Sequence, residues 1–80
     1  MSLALTSLGR TTHQIVKIEN DGAGNPVYVA WAEPGTPDDA AAHLIAKCLY
    51  SGGFIVRFLF ANGTLDYNQV YDDRASLTYS

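Results

Sequence analysis

The sequence predicts a mainly β protein: a small antiparallel sheet or barrel of about five strands with one helical turn. Two observations favour this class. Residues 54–61 hold seven apolar side chains out of eight, many of them aromatic or branched, between two glycine-containing turns, which is typical of a strand. Residues 13–19 and 27–32 flank a stretch rich in glycine and asparagine, which is typical of a hairpin. The alternative is an α+β fold with a helix at 37–50.

The chain of 80 residues is sufficient for one β-rich domain, assigned to residues 12–80, after an N-terminal arm at 1–11 that carries Leu3, Leu5 and Leu8. A chain of this size buries roughly 60–65% of the surface that its unfolded form exposes. The single cysteine excludes an internal disulfide. The charged fraction of 16% is below the ~25% of average proteins. We therefore expect partners, either further copies in a homo-oligomer or a larger assembly, to cover part of the surface.

The first hairpin begins with a strand at 13–19. The turn at 20–25 consists of residues that tolerate positive φ, and Pro26 suits the first position of the second strand. Alternation assigns the side chains of that strand to two faces. The residues that share one face are Val27, Val29 and Trp31.

The segment 37–50 is compatible with two structures. Pro37 at the first helical position, aspartates in the first turn and apolar residues at helical spacing favour a helix that ends before Gly52. The alternative keeps a helical turn at 37–41 and continues as a strand at 43–50, paired with the next strand through a glycine turn. Local signals favour the helix.

The strand at 54–61 is expected to supply the core, because four large side chains fall on one of its faces. They are Phe54, Val56, Phe58 and Phe60. Beyond it, aromatic and apolar residues at helical spacing predict a short helical turn within 66–73. Residues 76–79 alternate in polarity and predict a closing edge strand.

Charge and hydropathy exclude two classes of partner. The net charge is −3, and the five basic residues are scattered along the chain, whereas a nucleic-acid surface needs clustered positive charge. No apolar run approaches the roughly 18–20 residues of a membrane span, and the first ten residues do not resemble a signal peptide. The lone Cys48 is interpreted as a small buried side chain in a protein made in a reducing cytoplasm.

No catalytic, cofactor or metal site is predicted, and we expect a protein that is not an enzyme. His13, His43 and Cys48 are too few and too irregularly spaced for a structural metal site, which needs about four ligands. The Gly-x-Gly sequence at 22–24 lacks the third glycine and the following helix of a dinucleotide site.

Two pairs of adjacent acids are interpreted as structural. Adjacent residues of a strand point to opposite faces, so the carboxyls of such a pair do not converge as general acid and base. Asp38 and Asp39 are expected to solvate or cap a turn. Asp72 and Asp73 are expected to form turn hydrogen bonds and a local ion pair with Arg74.

Aromatic side chains give the most specific signal for binding. Tyrosine and tryptophan are favoured at interfaces because an apolar ring ends in a polar tip, although the same residues also suit ordinary packing or stacking on a sugar or base. The candidate partner contacts are Tyr28, Trp31, Tyr67, Tyr71 and Arg74.

Several fragments, in their order and spacing along the chain, resemble a group of small proteins encoded by tailed bacteriophages. Members of that group typically end in an aromatic residue, a Val-Trp-Asp-(Asp or Asn)-Arg-Ala segment and Tyr-Ser. The matching fragments are Tyr67 and Val70-Tyr71-Asp72-Asp73-Arg74-Ala75 with Tyr79-Ser80, the stretch 21–29, Pro34-Gly35-Thr36, Ile45 with Lys47 and Tyr50, and Ala61-Asn62-Gly63. Tyr71 and His43 stand where the group often has tryptophan. The resemblance covers about residues 13–80.

The resemblance implies a strand at 43–50, because the group has a Trp-x-Ile-x-Lys pattern there, and on this ground we predict the strand. It also implies a virion structural or accessory protein that acts by protein–protein assembly, in capsid decoration or in a tail or fibre. Such a protein is located in the virion and made in the host bacterial cytoplasm. The alternative is a non-structural phage protein that sequesters a small ligand or blocks a host protein.

Overall fold

A computed structural model describes residues 13–80 of the chain, and the predicted arm at 1–11 lies outside the described residues. The described part is mainly β, which confirms the predicted class. Its elements are β1 (Gln14–Asn20), β2 (Pro26–Ala32), β3 (Ala41–Ser51), β4 (Phe54–Phe60), β5 (Gln69–Val70) and a 3₁₀ helix (Tyr71–Ser76). In this part of the chain, no helix has the length and apolar character needed to cross a membrane.

The sheet is antiparallel, with the strand order β1-β2-β3-β4, and β5 pairs with the beginning of β3. The predicted first hairpin is confirmed. Its turn is held by Asp21, whose carboxylate accepts hydrogen bonds from the backbone N–H groups of Asn25 and Ala23, at 3.0 and 2.8 Å. These bonds favour the ionised carboxylate and lower the pKa of Asp21.

The ambiguous segment is a strand, as the prediction from the resemblance requires. Residues 37–40 form only a turn, in which the N–H of Ala40 donates to the carbonyl of Pro37 at 3.1 Å, and β3 then pairs with β2, β4 and β5. The helical signals are weak relative to hydrogen bonding and packing on both sides of a central strand. The side chains of His43 and Ile45 alternate with partly exposed neighbours and are fully buried.

The turn between β3 and β4 consists of Gly52 and Gly53, with φ values of 61° and 86°. Two successive residues at positive φ are typical of a type I′ hairpin, and glycine adopts them without strain. In β4 there is one extra residue between the pairs Leu49–Arg57 and Tyr50–Ile55. This β-bulge at Val56 interrupts the alternation of side chains along the strand.

The prediction that β4 seeds the core is wrong. Phe54, Val56 and Phe58 are 75%, 62% and 45% exposed, because β4 is an edge strand and its bulge breaks the expected face. The buried cluster lies instead on the central strands and under the 3₁₀ helix. Its members are Ala30, Ile45, Ala61 and Tyr71, with Tyr28, Leu77 and Tyr79 packed against them.

The chain after β5 differs in detail from the prediction. The helical turn begins at Tyr71, later than predicted, and the predicted closing strand is reduced to an isolated bridge between Ala61 and Tyr79. Phe60 and Ser80 exchange two backbone hydrogen bonds of 3.0 and 3.1 Å, so the residues around Tyr79 lie along the last residues of β4. Residues 71–80, here called the C-terminal segment, thus run across one face of the sheet and reach its edge.

The location of the core predicts a large loss of stability for one substitution and almost none for another. Ile45→Ala removes a fully buried side chain and should lower the free energy of unfolding by about 2–5 kcal/mol. Phe54→Ala should change it by about 0.5 kcal/mol or less, as expected for an exposed position. Urea unfolding at one protein concentration measures both, and a larger loss for Phe54→Ala would place the core on β4.

Candidate interaction surface

The strand register sorts the side chains of β1–β4 into two faces of different chemistry. Cross-strand partners share a face, so the pairs Ile18–Val29, Val29–Ala46 and Ala46–Phe60 define one row across the whole sheet. We call this side the apolar face. Its residues are Ile15, Ile18, Val27, Val29, Trp31, Leu44, Ala46, Cys48, Tyr50, Ile55, Phe58 and Phe60.

All four charged residues of β1–β4 lie on the opposite side, here called the covered face. They are Lys17, Glu19, Lys47 and Arg57. The covered face packs against the C-terminal segment, since Ala30, Ile45 and Ala61 contact Tyr71 there. The sheet therefore buries the middle of its mixed face under the C-terminal segment and directs its uncharged, apolar face away from that segment.

Exposure on the apolar face is highest at its rim. Ile15 and Ile18 on β1 are 52% and 53% exposed, and Phe58 on β4 is also exposed. In the middle of the face, Val29, Ala46 and Cys48 are buried. A shallow apolar surface with large side chains at its rim suits a flat protein partner more than a small molecule, which needs a concave site. No pocket is found in residues 13–80.

Arg74 attaches the C-terminal segment to the covered face. Its Nε donates to the Glu19 carboxylate at 2.6 Å, which raises the pKa of Arg74, and its Nη1 donates to the carbonyl of Tyr71 at 3.1 Å. The guanidinium lies 4.2 Å from the centroid of the Tyr71 ring, within cation–π range. The hydroxyl of Tyr79 donates to the Arg74 carbonyl at 2.8 Å. Burial raises the pKa of Tyr71 and of Tyr79, so the Tyr79 hydroxyl stays protonated and keeps its donated hydrogen bond.

The ammonium of Lys17 is fully coordinated. It lies 2.7 Å from the Asp38 carboxylate, 2.8 Å from the Thr36 carbonyl and 2.7 Å from Nε2 of His43. Because an ammonium only donates, Nε2 accepts and the ring proton of His43 resides on Nδ1. Nδ1 in turn lies 3.1 and 3.2 Å from the carbonyls of Ala40 and Gln69. These bonds satisfy a fully buried ring and connect β1, β3, β5 and the 37–40 turn.

The five predicted partner contacts do not converge on one surface. Trp31 lies on the apolar face, where it pairs with Leu44. Tyr28 lies on the covered face, with its ring 5.6 Å from that of Tyr79. Tyr71 is 6% exposed and Arg74 pairs with Glu19, so the chain itself uses both side chains.

The last predicted contact, Tyr67, lies between β4 and β5. It is 38% exposed and stacks on His13 with 3.8 Å between ring centroids.

Sequence reasoning missed the residues that dominate the exposed surface. Ile15 and Ile18 were not singled out, and Phe58 was assigned to the internal core. The sequence carried a signal for this exposed surface, because β1 and β2 each have larger apolar residues on one face and mostly polar or small residues on the other. A bulge between Ile15 and Lys17 shifts the phase of β1, and a pattern with a strict period of two does not detect such a shift.

The candidate catalytic and metal-binding side chains are placed apart. His43 lies on the covered face and Cys48 on the apolar face. Burial raises the pKa of the Cys48 thiol, which disfavours the reactive thiolate. Among residues 13–80, no group of three or more His, Cys, Asp or Glu side chains is arranged to hold a metal ion.

Of the two acidic pairs, one forms an ion pair that was not predicted and the other does not form the ion pair that was predicted. Asp38 pairs with Lys17, and this hydrogen-bonded contact lowers the pKa of the carboxyl. The predicted local ion pair of Asp72 and Asp73 with Arg74 is wrong, because the guanidinium reaches across to Glu19 on β1.

Comparison with protein families, curated proteins and solved structures finds no match to this chain.

The Lys17 contacts predict a specific loss of stability. Lys17→Met leaves the buried Nε2 of His43 without a donor and should lower the free energy of unfolding by about 1–3 kcal/mol. Lys47→Met, on the same face of the sheet, is the matched control and should change it by about 0.5 kcal/mol or less. Urea unfolding at pH 7 measures both, and equal losses would contradict the role of Lys17 described here.

The Asp38–Lys17 pair also predicts a pH dependence. The pKa of Asp38 is lower in the folded chain than the usual value of about 3.9. Its stabilising contribution is therefore complete above that value and is lost as the pH falls through the lowered pKa. Asp38→Asn should lose less stability than the wild type between pH 5 and pH 2 (roughly the range over which paired carboxyls protonate). Asp39→Asn should follow the wild type, and identical acid profiles for all three would contradict the assignment.

Proposed function

We propose that this chain is a bacteriophage virion structural or accessory protein that acts by protein–protein assembly and not by catalysis. It is made in the cytoplasm of the host bacterium and located in the virion, in a capsid-decorating or tail- or fibre-associated position. The observation that carries the proposal is the apolar face of the sheet, on which β1–β4 place no charged residue.

The apolar face supports assembly for a physical reason. Exposed apolar side chains that share one face mark interaction sites more often than isolated ones do. Ile15 and Ile18 at one edge and Phe58 at the other are exposed on the same side of a sheet whose other side packs against the chain's own C-terminal segment. A partner gains the free energy of covering this surface, at about 25 cal/mol per Å² of apolar area removed from water.

The resemblance to small tailed-phage proteins supports the virion as the place of assembly. The matching fragments map to parts of the fold with structural roles: the 21–25 turn, the pair Ile45 and Lys47 on β3, and the 3₁₀ helix with Arg74. These fragments shape the sheet and its cover, whereas the apolar face is the surface left for a partner.

The virion assignment predicts that the chain is present in purified phage particles. Particles of the encoding phage, banded by density and treated with nuclease and high salt, should contain it as detected by quantitative mass spectrometry. Its ratio to the major capsid protein should stay constant through successive purifications. An abundant host cytoplasmic protein serves as the control and should decrease.

Absence of the chain from such particles, together with abundance in infected cells, would contradict the proposal. That result would favour a non-structural phage protein that acts on a host component. Affinity purification from infected cells would then identify the component bound.

A further inference from the structure

The apolar face is expected to pack against a second layer of protein, and the elements of the described chain limit which layer this is. A single-layer sheet with an apolar face is completed by a second layer, in most domains a helix or another sheet. The C-terminal segment supplies that layer only on the covered face. Among residues 13–80, no other helix or strand is available for the apolar face.

We propose that the apolar face binds the apolar face of a second copy of this chain, so that two sheets pack face to face as a β-sandwich related by a two-fold axis. The inference rests on the proposed function in assembly and names its first partner. In such a contact the same residues meet from both sides. Trp31, Phe58 and Ile18 then interdigitate across a gap of about 10 Å between the sheets.

Charge makes this face self-complementary. The chain has a net charge of −3, so most surfaces of one copy repel the same surface of another. The apolar face is the exception, because Lys17, Glu19, Lys47 and Arg57 all project from the other side of the sheet. Two copies in contact there bring no like charges together and bury no unpaired charge.

The area suits a second sheet. Four strands about 4.8 Å apart and seven residues long, at about 3.3 Å per residue, give a face of roughly 19 by 23 Å. Covering one such face on each of two chains removes at most on the order of 1,000 Å² from water, just below the roughly 1,200–2,000 Å² of standard specific interfaces and in the range of weak ones.

The test measures mass and the environment of Trp31, the only tryptophan of the chain. Light scattering of the full chain should give twice the 8.7 kDa of one copy. On dilution, Trp31 emission should shift to longer wavelength as the mass falls to that of one copy. The midpoint of thermal unfolding should rise with concentration.

Matched substitutions locate the contact. Phe58→Asp on the apolar face should weaken the dimer by at least about tenfold. Phe54→Asp is the matched control, because Phe54 is on the same strand and is more exposed but pairs with Ser51, off the apolar face. This substitution should leave the dimer intact. Ile18→Asp at the β1 rim should act like Phe58→Asp, and circular dichroism checks that each variant keeps its sheet.

Several results would overturn the inference. They are a single-copy mass at all concentrations, an assembly larger than two copies, a dimer that survives both face substitutions, or a dimer lost in Phe54→Asp. If both face variants unfold, an unfolding midpoint of the wild type that is independent of concentration overturns it. One further variant combines Leu3→Ser, Leu5→Ser and Leu8→Ser. If it changes Trp31 emission without changing the mass, the N-terminal arm packs on the apolar face and the inference is overturned as well.

The two proposals fail separately. A dimer that is absent from phage particles leaves the pairing of copies intact and removes the virion function. A monomer that is present in particles removes the pairing and leaves the virion function, with another virion protein as the partner of the apolar face.

Discussion

The charged residues of β1–β4 all lie on one side of the sheet, and the rest of the structure depends on that separation. A β-bulge in β1 keeps the apolar Ile15 off the charged side. A strand has a strict side-chain period of two, so Ile15 and Lys17 would otherwise share a face. The irregularity between them places Ile15 beside Trp31 and Lys17 beside Ala30. In β4 the bulge at Val56 acts in the other direction, since it leaves Phe58 beside Cys48 on the apolar face and moves Phe54 off that face, where it pairs with Ser51.

The covered face that results combines small residues with a few well-satisfied polar groups. Ala30 and Ala61 are fully buried and leave room for the ring of Tyr71. Lys17 and Arg74 each connect β1 to a distant part of the chain, to the 37–40 turn through Asp38 and to the C-terminal segment through Glu19. Because both cations are paired and hydrogen-bonded, their partial burial does not carry the penalty of an unpaired charge.

The class of fold, the first hairpin and the turn of Gly52 and Gly53 could be predicted from the sequence, because local turn chemistry and alternation determine them. The strand at 43–50 could not be predicted from its residues alone, since its stability comes from pairing on both sides. The location of the core was mispredicted for a related reason. A bulge depends on the partner strand, so the phase of β4 is not encoded within β4. The ion pair of Arg74 with Glu19 joins residues 55 positions apart, beyond the reach of any local pattern.

The backbone pairing of Ser80 with Phe60 has a consequence for how the molecule can grow. An open strand edge is a template on which further chains can add one after another into a fibre. Here the residues around Tyr79 already occupy the row of donors and acceptors at the end of β4. The C-terminal residues of the same chain therefore shorten the free edge of β4. Contacts between sheet faces, which can close after a fixed number of subunits, are favoured over the repeated addition of strands at that edge.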